Sequence, residues 1–544
     1  LVREFAGQLQ VVSATDPGGE PLEVRRVDKR TWQVASSGQA VTLRYRVYAH
    51  ELSVRTSHLD GSHGYFNGAT LFLYTEATRG LEHHVTVEAP DGWKAFTALE
   101  RRGEAFVASD YDELVDSPFE VGPHTALQFT AAGVPHEVVV WGDTVPDPAR
   151  MCSDLQRVCE TQARLYGGLP HRRYLFLVYL TDKGRGGLEH QASTALLFPR
   201  VGLQNARGWE DFLTLAAHEY FHLWNVKRVK PRAHVPFDYS QENYTSLLWA
   251  FEGVTSYYDN LFVLRAGLMS ASRYLTRLGE TLSALQATPG RKVQTLAESS
   301  LVCWVKHYRP DEHSPNSAIS YYLKGEVVAV LLDLELRRLT DNARGLDDLM
   351  RLLWTRHGDG SGVPEDGVEA AASEVAGQDL SAFFDRALRS TQELDLSPFA
   401  TVGLEVRLRP RESASDRGGT PPPRTRGEGR PKGWLGVQPR GSSTFSTVQE
   451  GSPAQEAGLY VDDELVALDG WRADTTSLLS RCEDKSPGDT VRVTVFRRDR
   501  LVEVPVVLGQ KPSDALWLAR VDKPTDAQKA AYQAWLGTSW EEAG

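Results

Sequence analysis

The sequence predicts a multidomain α+β protein, and three observations carry that reading. Apolar and polar positions alternate through the first 148 residues between Gly, Pro and Asp turns, as they do in half-buried strands. Further on, Trp209-Glu210-Asp211-Phe212-Leu213-Thr214-Leu215-Ala216-Ala217 holds no Gly or Pro and reads as helix, and the chain from Tyr244 to about Leu394 continues mostly helical. From Arg409-Pro410 the composition turns polar and stays so through Lys432, after which apolar strands return. The 544 residues exceed one hydrophobic core and predict about three domains. The expected boundaries are 1–148 for a β-rich domain, 149–400 for a central domain, 401–432 for a polar Pro/Gly/Arg-rich linker, 433–510 for a small β-rich domain and 511–544 for a tail with a short helix.

In the first part, Val41–Tyr48, Leu71–Tyr74, His84–Val87 and Glu137–Trp141 read as strands of a β-sandwich-like domain. His83 and His84 do not form a metal pair there, because adjacent strand positions face opposite sides of a sheet. A helix from Pro146, over Met151–Tyr166, leads into the apolar strand Arg173–Leu180. Cys152 and Cys159 stand seven apart in that helix, too far for a disulfide. Four scattered cysteines, with Cys303 and Cys482, favour a reducing compartment, so the chain is expected in the cytoplasm, with a periplasmic or secreted location as the alternative had a leader been removed. The formal charge of −12 and pI near 5.7 argue against nucleic acid as a partner. No apolar run of about 18 residues occurs, so no membrane span is expected. The first residue is Leu1 rather than Met, and nothing about a leader follows from it.

The chemistry is concentrated in His218-Glu219-Tyr220-Phe221-His222, an H-E-x-x-H array. On a helix, positions 218 and 222 share one face, so two imidazoles point the same way and each offers a neutral nitrogen to a divalent ion. Glu219 is turned partly aside and can serve as a base toward water rather than as a ligand. A catalytic zinc site needs a third protein ligand and an open position. Glu252, thirty positions after His222 in Leu248–Tyr258, is the expected third ligand. Lys227 and Arg228, just past this helix, either meet substrate carboxylates or complement the dipole at its C-terminus.

A His-His-Glu set of this kind resembles the gluzincins, the thermolysin-like metallopeptidases, which implies a thermolysin-like domain with a helical half. Gly186-Gly187-Leu188-Glu189-His190 resembles the G-x-M-E-N motif of the aminopeptidase N clan and departs from it at Leu188 and His190. By that match Glu189, with Gly187 in the same motif, binds the free α-ammonium of the substrate. Tyr321-Tyr322-Leu323-Lys324-Gly325 is similar to the clan's Y-x-K-G segment, which assigns Tyr322 as hydrogen-bond donor to the oxyanion, with Tyr321 as the rival. Together with His218–Arg228, which reads H-E-x-x-H-x-W-N-V-K-R, these stretches resemble the M61, or glycyl aminopeptidase, family over nearly the whole chain. The resemblance implies one zinc ion per chain, hydrolysis of a peptide's first amide bond and a preference for N-terminal Gly or Ala.

The block from Gly433-Trp434-Leu435-Gly436 through Gly451-Ser452-Pro453-Ala454 and Asp463-Glu464-Leu465 resembles a PDZ domain of the bacterial type. Such a groove takes an extended peptide as an edge strand and holds its terminal carboxylate on loop N–H groups, here those of Leu435 and Gly436. Two other functions remain open at this point. An endopeptidase would use the same metal without an amine anchor, and a non-catalytic PDZ scaffold would bind peptides without turnover.

Overall fold

The computed structural model describes residues 3–142, 147–423 and 430–542. Pro146, at the expected start of the first long helix, and residues 424–429 of the polar linker lie outside the described residues. The chain divides into two compact units. One comprises Leu1–Lys230, Tyr258–Leu268 and His357–Gly360; the other comprises Pro231–Tyr257, Met269–Arg356 and Ser361–Gly544.

The first unit opens with small antiparallel sheets. One of them contains strands β1 (His58–Leu59), β2 (Gly64–Phe66), β3 (Lys94–Phe96) and β4 (Phe119–Gly122) in the order β1-β2-β4-β3. A five-stranded sheet follows, built from β5 (Ala126–Ala131), β6 (Val134–Trp141), β7 (Tyr174–Thr181), β8 (Gly186–Glu189) and β9 (Ser193–Pro199) in the order β5-β6-β7-β9-β8. Strands β6, β7 and β9 run parallel, whereas the two edge strands pair antiparallel. All eight residues of β7 are buried, the expected behaviour of an apolar run in the middle of a covered sheet. Helix α1 (Pro148–Tyr166) starts on the Asp147 side chain and ends at Gly167, whose φ of 78° is the left-handed conformation that closes a helix. Helix α2 (Ala206–Phe221) carries the H-E-x-x-H array.

One strand assignment differs from the sequence expectation, and one strand has a partner the sequence did not indicate. Leu71–Tyr74 is not a strand. Gly68–Leu71 forms a helical turn capped by the Asn67 side chain, and a Cβ at Gly68 would lie 2.7 Å from the Val115 Cα, so close packing rather than alternation decides this segment. Glu137–Trp141 is a strand, but it lies beside β7 in the five-stranded sheet. Alternation detects a strand without identifying its neighbour, which is a non-local choice.

In the second unit, a π-helical turn at Trp249–Gly253 leads into helix α3 (Val254–Arg265), and α4 (Tyr321–Leu339) is buried along most of its length. The PDZ-like portion has strands in the order 437–440, 444–448, 464–468, 490–497 and 500–507, around a core that includes Phe445, Leu468, Leu478 and Val493. The stretch read as linker is partly ordered. Leu404–Arg409 pairs with Ala515–Arg520, so the tail contributes a strand as well as the helix Asp526–Leu536. Gly419 donates to the Leu516 carbonyl, and Arg409 is ion-paired to Asp416. A polar segment needs no apolar core of its own when glycines bring its backbone against a helix and its charges are paired. Among the described residues no helix is long and apolar enough to cross a membrane.

Candidate active site

Asn205 accepts from Gly208 N–H and starts α2, which runs to Phe221 with His222 as its C-cap in right-handed helical conformation. The four-residue spacing therefore holds, and the rings of His218 and His222 lie 4.8 Å apart. His222 Nδ1 donates to the Asn225 carbonyl at 2.8 Å, and His218 Nδ1 donates to Asp259 Oδ2 at 3.3 Å. Each of these bonds fixes a tautomer in which Nε2 presents the lone pair, as metal-ligating histidines require. The Asp259 interaction was not read from the sequence. A signal exists, since Asp259 falls two turns after Glu252 along the helical stretch.

Glu219 is 5 % exposed and lies over Gly187. A Cβ at Gly187 would come within 2.0 Å of Glu219 Oε1, so this position is glycine because the carboxylate occupies the space of its side chain. Gly187 and Glu189 belong to β8, an edge strand whose assigned pairing is with β9. The ligand atoms of Glu189, Glu219 and His222 all fall within 4.8 Å of one another.

The turn after Glu189 is held by Asp116, another residue the sequence did not single out. Its carboxylate accepts from Gln191 N–H at 2.8 Å and from His190 Nδ1 at 3.2 Å, and it pairs with Lys227. Burial alone would push the Asp116 carboxyl up, but the Lys227 ammonium and the His190 bond hold it well below the usual range. His190, which departs from the aminopeptidase motif, therefore serves as an anchor for this turn. Arg228 donates to the carbonyls of Leu223, Pro170 and Gln191, so it ties the turn after the helix to two other segments, while Lys227 is occupied by Asp116.

Glu252 sits in the π-helical turn, a distortion often found at functional positions. Gly253 beside it faces Gly325 of α4, and a Cβ on Gly253 would lie 2.4 Å from the Gly325 Cα. This backbone contact brings the start of α4 to the turn that carries Glu252. Burial first, then the Glu252 carboxylate, push the Tyr322 phenol well above its ordinary range. Tyr321 is 1 % exposed and its hydroxyl donates to that of Tyr308, whereas Tyr322 is half-buried, which distinguishes the two tyrosines by access. His218 and His222 belong to the first unit and Glu252 to the second. Two imidazoles and one carboxylate are a donor set that suits zinc in a hydrolytic site.

In the PDZ-like portion, Leu435 is a core side chain, 1 % exposed, and Gly436 has φ of 87°. A Cβ at Gly436 would lie 2.2 Å from the Ser452 Cβ. The strand 437–440 is an end strand of its sheet.

Family models match three stretches: the peptidase M61 N-terminal domain over residues 1–123, the M61 glycyl aminopeptidase over 211–328 and a PDZ domain over 433–508. The crystal structure of an aminopeptidase N family protein from Idiomarina loihiensis is 34% identical, covers 98% of this chain and 93% of that one, and superposes with a TM-score of 0.92. An M1 zinc metallopeptidase from Deinococcus radiodurans is 14% identical over 72% of this chain and 87% of that one, with a TM-score of 0.45. A curated protein of Hahella chejuensis, described as a probable periplasmic serine endoprotease DegP-like, is 33% identical over 107 residues, which is 16% of this chain. The chain spans only 23% of that protein's length. On the near-complete match to the Idiomarina protein and the agreement of the M61 models, the chain belongs to the M61 glycyl aminopeptidase family and is a metallo-aminopeptidase that carries a PDZ domain.

Proposed function

We propose that the protein is a zinc-dependent aminopeptidase that hydrolyses the first peptide bond of substrates with a free N-terminus and prefers small first residues, Gly or Ala. The observation that carries this reading is the grouping of Glu189, Glu219 and His222 within 4.8 Å, which sets a free acid beside the H-E-x-x-H pair. His218, His222 and Glu252 hold one zinc ion. When bound, zinc lowers the pKa of water toward about 7 and polarises the scissile carbonyl.

The chain's own groups do the rest. Glu219 accepts the proton of the attacking water and passes it to the leaving amine. Tyr322 donates a hydrogen bond to the carbonyl oxygen as it gains negative charge, and loss of such a donor costs on the order of 10²-fold in rate. Glu189 pairs with the substrate's α-ammonium and so sets the cut at the first bond. In the PDZ domain, the open edge of 437–440 takes an extended peptide, with the N–H groups of Leu435 and Gly436 at its carboxylate end. The four free cysteines support a reducing, cytoplasmic location.

The test is an aminoacyl-reporter panel with and without chelator, run on wild type, Glu219→Gln and Glu189→Gln. Glu219→Gln abolishes turnover with metal retained, and Glu189→Gln loses free-amine substrates selectively. Equal cleavage of Gly-reporter by Glu189→Gln and wild type would remove the exopeptidase assignment in favour of an endopeptidase.

A further inference from the structure

A second cluster of metal-ligand types lies in the small sheet of the N-terminal part and shares no residue with the candidate active site. His63 immediately precedes β2, Glu120 is in β4, and His124 lies two residues past its end. Their side chains are 0%, 1% and 8% exposed. His63 Nδ1 is 2.9 Å and His124 Nε2 2.7 Å from the same oxygen, Glu120 Oε1, and the ligand atoms of all three fall within 4.8 Å. Gly122 permits this, because a Cβ there would lie 2.2 Å from His124 Nε2. The Trp141 indole stacks on the His63 ring at 4.0 Å and fixes its plane.

The two oxygens of Glu120 are unequally served. The other oxygen of Glu120, Oε2, is buried with no hydrogen-bond partner among the described residues, where the ion pairs of Glu120 are with these two histidines. A carboxylate this deeply buried needs a compensating positive charge, and leaving one without it costs several kcal/mol.

From this arrangement we infer that His63, Glu120 and His124 form a second, structural metal site for a zinc-class divalent cation. Two imidazole nitrogens and a carboxylate oxygen suit that class, whereas calcium and magnesium take oxygen ligands. The ion supplies the missing positive charge and can engage both oxygens of Glu120. With His63 Nδ1 as ligand, Nε2 carries the proton and donates to His58 Nδ1 3.0 Å away, an orienting bond of the kind metal-bound histidines make. His58 is half-buried and Asp60 exposed. The bound ion ties the β1–β2 hairpin to β4.

The test is zinc content of the full-length protein by elemental analysis after zinc loading and gel filtration. Wild type is expected to hold about two equivalents per chain, Glu120→Gln about one and His222→Ala about one. In the His222→Ala background, added Zn²⁺ raises the melting temperature and added Co²⁺ gives d–d absorption, and both responses are lost when Glu120→Gln or His124→Ala is combined with it. The inference fails if Glu120→Gln and His124→Ala keep the wild-type zinc count, or if His222→Ala binds no Co²⁺; in either case the cluster holds a proton instead of a metal. A zinc count unchanged by His222→Ala would instead count against the catalytic assignment, so the two readings fail separately.

Discussion

Gly187→Ala tests the placement of the proposed base. The added Cβ would start 2.0 Å from Glu219 Oε1, 2.2 Å from its Cδ and 2.5 Å from its Cγ. Contacts of carbon with carboxylate atoms need about 3.2–3.4 Å, so the Glu219 carboxyl must retreat by about 1 Å or more. The obstructing atoms are the far end of a flexible side chain, and the substituted residue lies in a half-buried edge strand, so folding changes little. Catalysis is less tolerant, since a displacement of about 1 Å from reacting geometry costs on the order of 10²-fold. Expected is a fall of about 10²-fold in kcat, or about 2.7 kcal/mol, with KM, metal content and melting temperature near wild type. Gly186→Ala is the internal control, because a Cβ there meets nothing within 4 Å. Steady-state kinetics on a Gly-reporter, with melting curves for both variants, decide it. If Gly187→Ala retained activity within about threefold of Gly186→Ala, the assignment of Glu219 as a base held against this strand would be refuted.

Other outcomes follow from the same geometry. Asp259→Asn weakens the orientation of His218 and lowers metal affinity about 10–100-fold, measured by chelator competition. Gly253→Ala places a Cβ 2.4 Å from the Gly325 Cα, which is backbone and cannot swing away, so the cost is about 1–3 kcal/mol or more and appears as a lower denaturation midpoint. The third outcome concerns pH. His136 is held down to about 4 and His171 to about 3, in both cases chiefly by burial. Both stay neutral in the folded chain while their unfolded forms protonate near 6.5, so their contribution is complete above that pH and is lost as pH falls toward 4. By pH 4 the loss is on the order of 3 kcal/mol each. Denaturation midpoints between pH 7 and 4 should drop accordingly, and His171→Phe should flatten the slope.

Local patterns determined what kinds of element and donor this chain contains. The Gly- and Pro-free stretch before His218 makes α2, and four-residue spacing turns His218 and His222 to one side, because helical geometry depends only on neighbours in sequence. The apolar run at 173–180 likewise made β7 legible, and the glycine-proline signals marked the PDZ fold. Relations between distant residues were not legible. Nothing near Gly187 indicates that the space above it belongs to Glu219, and nothing near Asp116 announces that it holds Lys227, His190 and the turn after Glu189. The pairing of 404–409 with 515–520, and the meeting of His63 with Glu120 and His124, are also products of tertiary packing. Sequence alone therefore supplied His218 and His222 as candidate ligands together with the helix that presents them, because their shared face follows from periodicity. Only the folded chain decided which acid orients which imidazole and which glycine makes room for which carboxylate, because those contacts join residues that no local rule relates.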